Sequence, residues 1–251
     1  MGYMEKNTCR MCKSSNIKKF LDLGFSALSD GFLTKEQLKE PETFFPLTVN
    51  FCTDCGLCQL GYVVSPELMF NEDYPYDSST TKTGTTHFTK MGIDICNKFN
   101  LKPNSLVIDV GSNAGVLLAG FKSKGMKVLG IEPSSNVAKI AIKNNIDTWI
   151  DFFSNKLTKK ILDEHGKVSV ITGTNVFAHI DNLEDFMLTS DILLLEDGII
   201  VIEAPYLLHL INKLEYDTIY HEHLSYLSVK PIVNFCKRFN FELFDIEEQV
   251  I

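Results

Sequence analysis

The sequence predicts an α/β protein in which a small zinc-binding module precedes a doubly wound, Rossmann-like sheet domain. Two observations lead to this fold class. Five of the seven cysteines lie before residue 60, and short apolar strand-like runs alternate with helical segments from about residue 100 onward. Such alternation is typical of a mainly parallel sheet covered by helices. We therefore predict a zinc module over residues 1–70, a linker and helix covering the functional site over 71–100, and a sheet domain over 101–251.

Length and charge exclude several classes of protein. The 251 residues, 45% of them hydrophobic, allow one large domain or one ordinary domain with a small module. The net charge is −8 and arginine occurs only at positions 10 and 238, so a nucleic-acid-binding face is not expected. The N-terminus lacks an apolar signal region, and acidic residues interrupt the most apolar stretch, which excludes a membrane span. We predict a soluble, cytoplasmic protein, and a monomer is favoured.

The first candidate site is formed by two C-x2-C pairs, Cys9/Cys12 and Cys52/Cys55. Each pair can direct two thiolates at one point, and four thiolates complete a tetrahedral zinc shell. Disulfides suit a secreted chain, and a redox C-x2-C is expected beside a βαβ pattern, so both alternatives are less favoured. Because four thiolates leave no open position on the metal, the site is predicted to be structural.

A third pair is formed by Cys55 and Cys58. We take Cys58 as the spare thiol, because Gly56 suits a turn directly after a second ligand at Cys55. A module of ~70 residues is marginal on its own core, and a bound metal supplies the missing stability.

The sheet domain is predicted from its sequence of strands and helices. Ser134 is a plausible N-cap for the second helix. The predicted strands are Ser105–Val110, Lys127–Glu132, a third ending just before Asp151, Val168–Thr172, Gly198–Glu203 and Phe241–Ile246, and the predicted helices are Val116–Ser123, Ser134–Lys143, Leu183–Leu193 and Lys230–Arg238.

The first strand–helix turn predicts a nucleoside-type cofactor. Ligands of such sheets bind beyond the carboxyl ends of the strands. Gly111 and Gly115 provide the open turn, and Glu132 closes the second strand, where a carboxylate can accept from both ribose hydroxyls. The loop G-S-N-A-G matches neither the dinucleotide fingerprint nor a P-loop, and it fits S-adenosylmethionine better. A tight turn without a cofactor is the alternative.

Several short motifs follow one another along the chain. After the two cysteine pairs come D-Y-P-Y-D-S-S at 73–79, D-V-G-S-N at 109–113, G-I-E-P-S at 130–134, N-V-F-A-H at 175–179 and Y-H-E-H-L-S-Y at 220–226. In this order they resemble the zinc-containing, S-adenosylmethionine-dependent C-methyltransferases that act on nucleotide-linked keto-deoxysugars. The resemblance implies a class I methyltransferase sheet and two cofactors, S-adenosylmethionine and a structural Zn²⁺.

Methylation of carbon needs a base, because the proton beside the keto group must leave to form an enolate. The resemblance implies that His223 is this base, that Glu222 orients its ring or holds a sugar hydroxyl, and that Tyr220 donates to the enolate oxygen or the sugar. On the residues alone, Y-H-E-H could also be a metal knuckle or a solvated loop, although it does not form the H-E-x-x-H pair. The further catalytic residues implied by the resemblance are Asn175, His179 and Tyr76.

Cofactor contacts are expected around the first two strands. Gly111, Ser112 and Asn113 are placed near the methionine part, Glu132 on the ribose and Pro133 against the adenine. Asp151 and Phe152 could accept from the adenine amine and stack on its ring, or could equally be a cap and a core residue. The full predicted cofactor set is Asp109, Gly111, Ser112, Asn113, Gly115, Glu132, Pro133, Asp151 and Phe152.

Two departures from the family pattern stand out. Ala114 occupies a position where the family loop usually has Asp, which removes one polar contact near the methionine end. Family members are also longer and carry a further C-terminal α/β domain, so we expect this chain to be a truncated form that lacks it.

The expected function is methyl transfer from S-adenosylmethionine to a carbon, C3 in the first instance, of a nucleotide-diphosphate 4-keto-deoxysugar. An O- or N-methyltransferase is the alternative among enzymes, distinguished by having no need for a base beside a carbonyl. A non-catalytic remnant that binds zinc and nucleotide is the alternative from another class.

Overall fold

The computed structural model describes residues 2–249. Among them, no helix is both long and apolar enough to cross a membrane. The strands are β1 Tyr3–Glu5, β2 Ile17–Ser26, β3 Phe45–Cys52, β4 Cys58–Leu60, β5 Tyr62–Val64, β6 Leu106–Val110, β7 Lys127–Ile131, β8 Thr148–Trp149, β9 Val168–Thr174, β10 Leu194–Glu203 and β11 Ser225–Tyr226. The helices are α1 Pro66–Met69, α2 Lys82–Lys98, α3 Val116–Ser123, α4 Ser135–Lys143, α5 Thr158–Glu164, α6 Leu183–Leu193, α7 Leu207–Lys213 and α8 Val229–Lys237.

The chain divides into two compact units, and neither is continuous in sequence. The N-terminal unit contains the chain up to Met69, together with Phe177–Glu184 and Ala204–Ile246. The central unit contains Phe70–Val176, Asp185–Glu203 and the chain from Glu247 onward.

The central unit is built on a five-stranded parallel sheet with the order β10-β9-β6-β7-β8. The switch in strand order falls between β6 and β9, and their register pairs Asp109 with Thr172. Parallel strands align their carboxyl ends at one edge, where the switch point opens a crevice for ligands. The predicted doubly wound α/β fold is confirmed.

Helices α2 and α3 pack closely against each other in the core of the central unit. Phe88 and Ile95 of α2 lie in one apolar cluster with Leu117 and Phe121 of α3. At Gly120 a Cβ atom would lie 2.3 Å from the carbonyl oxygen of Thr89, so the contact requires glycine. This packing fixes α2, which carries a residue of the candidate site.

The N-terminal unit contains two antiparallel sheets. One has the order β11-β4-β3-β2 and the other pairs β1 with β5. Side chains of β3, β4 and β11, including Val49, Leu60 and Tyr226, form the buried core of this unit. The strand β11 begins two residues after His223, so its pairing with β4 attaches the Y-H-E-H segment to the cysteine-rich part of the chain.

Ion pairs hold the segment 177–184 to the first cysteine pair of the N-terminal unit. The side chain of Arg10 has 0% exposure, and its Nε lies 3.0 Å from a carboxylate oxygen of Asp181. Lys6 Nζ lies 2.8 Å from the same carboxylate. The Nη1 group of Arg10 also donates to the carbonyl of Leu60 at 2.9 Å. At the other end of the segment, Glu184 pairs with Lys13 and Arg238.

We expect Asp181→Ala to destabilise the N-terminal unit by about 3–5 kcal/mol, because it leaves a buried guanidinium without its counter-ion. Asp22→Ala is the matched control, since Asp22 pairs with Lys19 on the surface and its loss should not be measurable. Urea unfolding followed by circular dichroism measures both. Equal midpoints for the two variants would contradict the assigned role of the Asp181 carboxylate.

One predicted element is wrong. The sequence predicts a strand at Phe241–Ile246, but the structure has irregular backbone there. Phe244 and Ile246 are both 62% exposed. Alternation produces a strand only where a neighbouring strand offers backbone partners, and no strand of the described residues pairs with this segment.

Candidate active site and zinc centre

The four predicted zinc ligands lie together in the N-terminal unit. The sulfur atoms of Cys9, Cys12, Cys52 and Cys55 all lie within 4.8 Å of one another. Cys9 and Cys55 are 3.5 Å apart at sulfur, as are Cys12 and Cys52. Zinc–sulfur bonds of about 2.3 Å in a tetrahedron require sulfur separations near 3.8 Å, so the cluster fits Zn²⁺ with no position left open.

Cys58 lies outside this cluster. It begins β4 and packs with Leu47, Val49 and Leu60 in the apolar core of the N-terminal unit. Burial raises the pKa of its thiol to about 11, which keeps it protonated. A neutral buried thiol behaves as a small apolar side chain.

The turn after β6 has the geometry of a ligand-binding loop. Gly111 adopts a φ of 64°, and a Cβ atom there would lie 2.4 Å from Val176. Ser112 is buried, and its Oγ has no hydrogen-bond partner among the described residues. Gly115 provides the left-handed residue that begins α3. The loop thus requires glycine at position 111, because Val176 packs against it, and it contains a buried polar atom that needs a partner.

Glu132 lies at the carboxyl end of β7 beside this loop. Its two oxygens accept from the backbone N–H groups of Asn113 and Ser134, each at 2.8 Å. Burial raises the pKa of this carboxyl, and the two amides act in the opposite direction. Each carboxylate oxygen keeps a second lone pair, so the fixed carboxylate can still accept from ribose hydroxyls. The residues of the loop and Glu132 therefore fit S-adenosylmethionine.

The side chain of Asn113 forms hydrogen bonds to the backbone of a neighbouring segment. Its Oδ1 accepts from the backbone N–H of Ser78 at 2.9 Å, and its Nδ2 donates to the carbonyl of Tyr76 at 2.9 Å. Asn136 makes a similar bond to the carbonyl of Tyr74 at 2.7 Å. Both amides attach the 74–78 segment to the turn, so Asn113 anchors that segment rather than presenting its side chain freely.

Asp109 is fully enclosed within β6. Its Oδ1 accepts from the hydroxyl of Thr172 at 2.7 Å. Burial raises the pKa of Asp109 to about 7, against the opposing effect of that hydrogen bond. In the structure this carboxyl joins β6 to β9 below the loop.

The three residues predicted for the adenine lie after β7 and β8. Pro133 and Phe152 are half-buried. The carboxylate of Asp151 accepts from the backbone N–H of Phe152 at 2.8 Å, which is the local capping bond that the sequence left open as an alternative.

A histidine–tyrosine pair lies in the N-terminal unit. Nδ1 of His223 is 2.8 Å from the carbonyl of Thr218, and Nε2 is 2.9 Å from the hydroxyl of Tyr220. A carbonyl can only accept, so Nδ1 carries the proton and Nε2 offers a lone pair. Burial lowers the pKa of His223, although its bond to Thr218 opposes this. The pair therefore combines a neutral base with an adjacent hydroxyl donor.

His179 and Glu222 complete this cluster. The ring of His179 stacks on His223 with centroids 5.1 Å apart. Burial and the neighbouring His223 lower the pKa of His179 to about 3, so it is neutral. Burial and then the Glu222 carboxylate raise the pKa of Tyr220 to about 12, which keeps its hydroxyl protonated. His221, the remaining histidine of the motif, faces Phe45 and bonds to its carbonyl at 3.3 Å.

The other two predicted catalytic residues belong to the central unit. Asn175 follows β9 with a left-handed φ of 55°, and its N–H donates to the carbonyl of Glu203 at 2.8 Å. Tyr76 is half-exposed, and burial, Asp77 and Glu203 together raise its pKa. Asn175 is thus joined to Glu203 through the backbone.

Sequence reasoning missed Glu203 and its partner. Nε2 of His87, on α2, lies 2.7 Å from Oε2 of Glu203 at the end of β10. One signal was available, since Glu203 closes a strand as Glu132 does. No sequence signal connects it with His87, 116 positions away.

Comparison with known families gives two matches. Residues 9–70 match a family described as a zinc binding domain. Residues 92–246 match a family described as a methyltransferase domain, which covers more than half of the chain.

A curated relative matches nearly the whole chain. C-methyltransferase NovU from Streptomyces niveus is 30% identical over 239 residues, which is 95% of this chain and 56% of NovU. The chain therefore spans little more than half the length of that relative.

Two solved structures share the fold. The plantazolicin methyltransferase BamL, in complex with a triazolic desmethylPZN analogue and SAH, has a TM-score of 0.50 at 16% identity over 63% of each chain. A chain of the complex of the Haloferax volcanii Trm112 methyltransferase activator with a methyltransferase also has a TM-score of 0.50, at 11% identity over 65% of this chain and 72% of that one.

Proposed function

Because the chain belongs to the methyltransferase family and carries a zinc binding domain, we propose that it transfers a methyl group from S-adenosylmethionine to a carbon atom. The acceptor atom is C3, the carbon next to the keto group of a nucleotide-linked 4-keto-deoxysugar. The likeness to NovU and the Y-H-E-H-L-S-Y motif support carbon as the acceptor. The hydrogen-bonded pair of His223 and Tyr220 is the observation that carries the proposal.

The cofactor is held by the turn after β6 and by Glu132. The backbone of the turn at Gly111 binds the methionine part, Ser112 Oγ supplies a hydroxyl that needs a partner, and Glu132 accepts from the ribose. Pro133, Asp151 and Phe152 line the adenine side. When bound, S-adenosylmethionine supplies an electrophilic methyl group on a sulfonium centre and leaves as the thioether.

His223 is the base of the proposed reaction. The C3–H bond of the keto-sugar breaks, its proton goes to Nε2, and its electrons form the enolate. The carbonyl of Thr218 stabilises the resulting imidazolium, because Nδ1–H already donates to it. With S-adenosylmethionine bound, the enolate carbon would accept the methyl group as the methyl–sulfur bond breaks.

Tyr220 stabilises the enolate oxygen. Its raised pKa makes it a hydroxyl donor throughout the neutral range. In the structure this hydroxyl occupies the lone pair of Nε2. We propose that it exchanges this bond for one to the substrate carbonyl, which frees Nε2 to take the proton and places a donor where negative charge develops.

The remaining predicted residues have supporting roles. Glu222 orients the ring of His223 or holds a sugar hydroxyl, and the neutral ring of His179 packs on His223 without competing for the proton. Asn175 and Tyr76 are proposed as further residues that bind the acceptor. The four cysteines hold a structural zinc ion that maintains the N-terminal unit.

The test is product analysis with methyl-¹³C-labelled S-adenosylmethionine and a dTDP-4-keto-6-deoxy-hexose. NMR should show one new methyl group bonded to carbon. A labelled O-methyl or N-methyl product would identify the alternative enzyme classes. Tight binding of S-adenosylhomocysteine with no labelled product from this acceptor would favour a non-catalytic remnant.

A further inference from the structure

The central unit contains a part-buried, hydrogen-bonded pair, His87 and Glu203, that the proposed reaction has not used. His87 and Glu203 have side-chain exposures of 17% and 13%, and their Nε2 and Oε2 atoms are 2.7 Å apart. His87 is presented by α2, whose packing on α3 is fixed by the close contact at Gly120. Glu203 is fixed by its backbone, which pairs with Thr174 and accepts from Asn175. Both partners therefore stand on rigid elements.

The second oxygen of Glu203 lacks a partner. Oε1 is buried, and none of the described residues donates a hydrogen bond to it. An unsatisfied buried carboxylate oxygen costs free energy in the isolated protein. This cost is recovered when a ligand brings a donor, and a carboxylate that ligands satisfy is a common feature of binding sites.

The position of Glu203 in the sheet indicates which ligand it binds. It ends β10, two strands from β6 in the sheet, on the side of the switch point away from Glu132. The backbone carbonyl of Tyr76 accepts from Asn113 in the cofactor turn, and burial, Asp77 and Glu203 raise the pKa of the Tyr76 hydroxyl. The unit thus has a carboxylate on each side of its switch point. Glu132 is assigned to the cofactor, so the methyl acceptor is the ligand that remains for Glu203.

We propose that Glu203, oriented by His87, binds the methyl acceptor by accepting a hydrogen bond at Oε1 from a hydroxyl group of its sugar. The inference rests on the proposed function, because that function supplies a polyhydroxylated acceptor. It assigns Glu203 as a substrate-binding residue and His87 as a positioning residue. Because His87 fixes Oε2, only a sugar whose hydroxyl group lies within reach of Oε1 can form this hydrogen bond. Glu203 can therefore discriminate among sugars by the position of that hydroxyl.

Calorimetry on the zinc-loaded protein with saturating S-adenosylhomocysteine tests this assignment. The probe is dTDP-4-keto-6-deoxyglucose, and dTDP alone is the control ligand because it lacks the sugar hydroxyls. Glu203→Leu should weaken binding of the dTDP-sugar about 10- to 100-fold and leave dTDP and S-adenosylhomocysteine unchanged. Glu203→Gln, which keeps a neutral polar group, should fall between Leu and wild type. His87→Phe should weaken the dTDP-sugar and His87→Gln should restore part of the loss.

The other outcomes either overturn the assignment of Glu203 or distinguish its failure from failure of the proposed function. Equal binding of the dTDP-sugar to wild type and to Glu203→Leu would overturn it, whatever reaction the enzyme performs. Parallel losses for dTDP, the dTDP-sugar and S-adenosylhomocysteine in both Glu203 variants would show a merely structural role and also overturn it. A wild type that binds the dTDP-sugar no better than dTDP would overturn it as well. If Glu203 passes this test but no C-methyl product forms, the assignment stands and the proposed function fails.

Discussion

His223→Asn is expected to reduce methyl transfer by roughly 10²–10⁴-fold, the usual contribution of a general base. Asparagine can retain a donor toward Thr218, but it offers no lone pair of comparable basicity in place of Nε2. The affinity for S-adenosylhomocysteine should not change, because the turn after β6 and Glu132 belong to the central unit. Single-turnover kinetics and calorimetry on the same preparation measure both quantities.

His221→Asn is the matched control for this variant. His221 is buried in the same motif but bonds to the carbonyl of Phe45, so it has no role in the proton transfer. Its substitution should reduce stability without comparable loss of turnover in the folded fraction. Undiminished turnover in His223→Asn, or equal losses in both variants, would remove His223 from the role of base.

Cys52→Ser is expected to abolish zinc binding and the structure of the N-terminal unit. Structural zinc contributes apparent binding free energies of about 10–16 kcal/mol, which is comparable to the ~5–15 kcal/mol that stabilises a whole protein. Loss of one of four mutually adjacent thiolates should therefore expose this unit to protease while the central unit stays folded. Zinc content by mass spectrometry and limited proteolysis measure the two effects.

Cys58→Ala is the matched control, since Cys58 lies only six positions away and is also buried. It should retain one zinc ion per chain and lose only the packing of a sulfur atom. If Cys58→Ala lost zinc while Cys52→Ser kept it, the ligand assignment would be wrong.

Local patterns in the sequence were sufficient for the sheet and for the cysteine cluster. A C-x2-C pair brings two thiols together through a single turn, and alternating strands and helices require a parallel sheet. The strands β6, β7, β9 and β10 and the helices α3 and α4 lie where they were predicted, within a few residues.

Long-range pairings of side chains could not be read from the sequence. The side-chain amide of Asn113 forms hydrogen bonds with the backbone of residues 76–78. His87 contacts Glu203 only because α2 packs beside the sheet. The segment 177–184 belongs to the N-terminal unit because Arg10 and Lys6 bind Asp181. No periodicity or residue spacing in the sequence predicts any of these contacts, because they form only when the chain folds. The failed strand at Phe241–Ile246 has the same cause, since pairing and not alternation makes a strand.

The most direct test of enolate chemistry is deuterium exchange at C3 of the keto-sugar. Wild-type protein is incubated in deuterated water with S-adenosylhomocysteine and dTDP-4-keto-6-deoxyglucose, so that no methyl group can be transferred. Proton NMR should show loss of the C3–H signal, catalysed by the wild type and not by His223→Asn. Retention of the C3 proton by the wild type, together with transfer of methyl to oxygen or nitrogen in a parallel reaction with S-adenosylmethionine, would contradict the proposed carbon methylation.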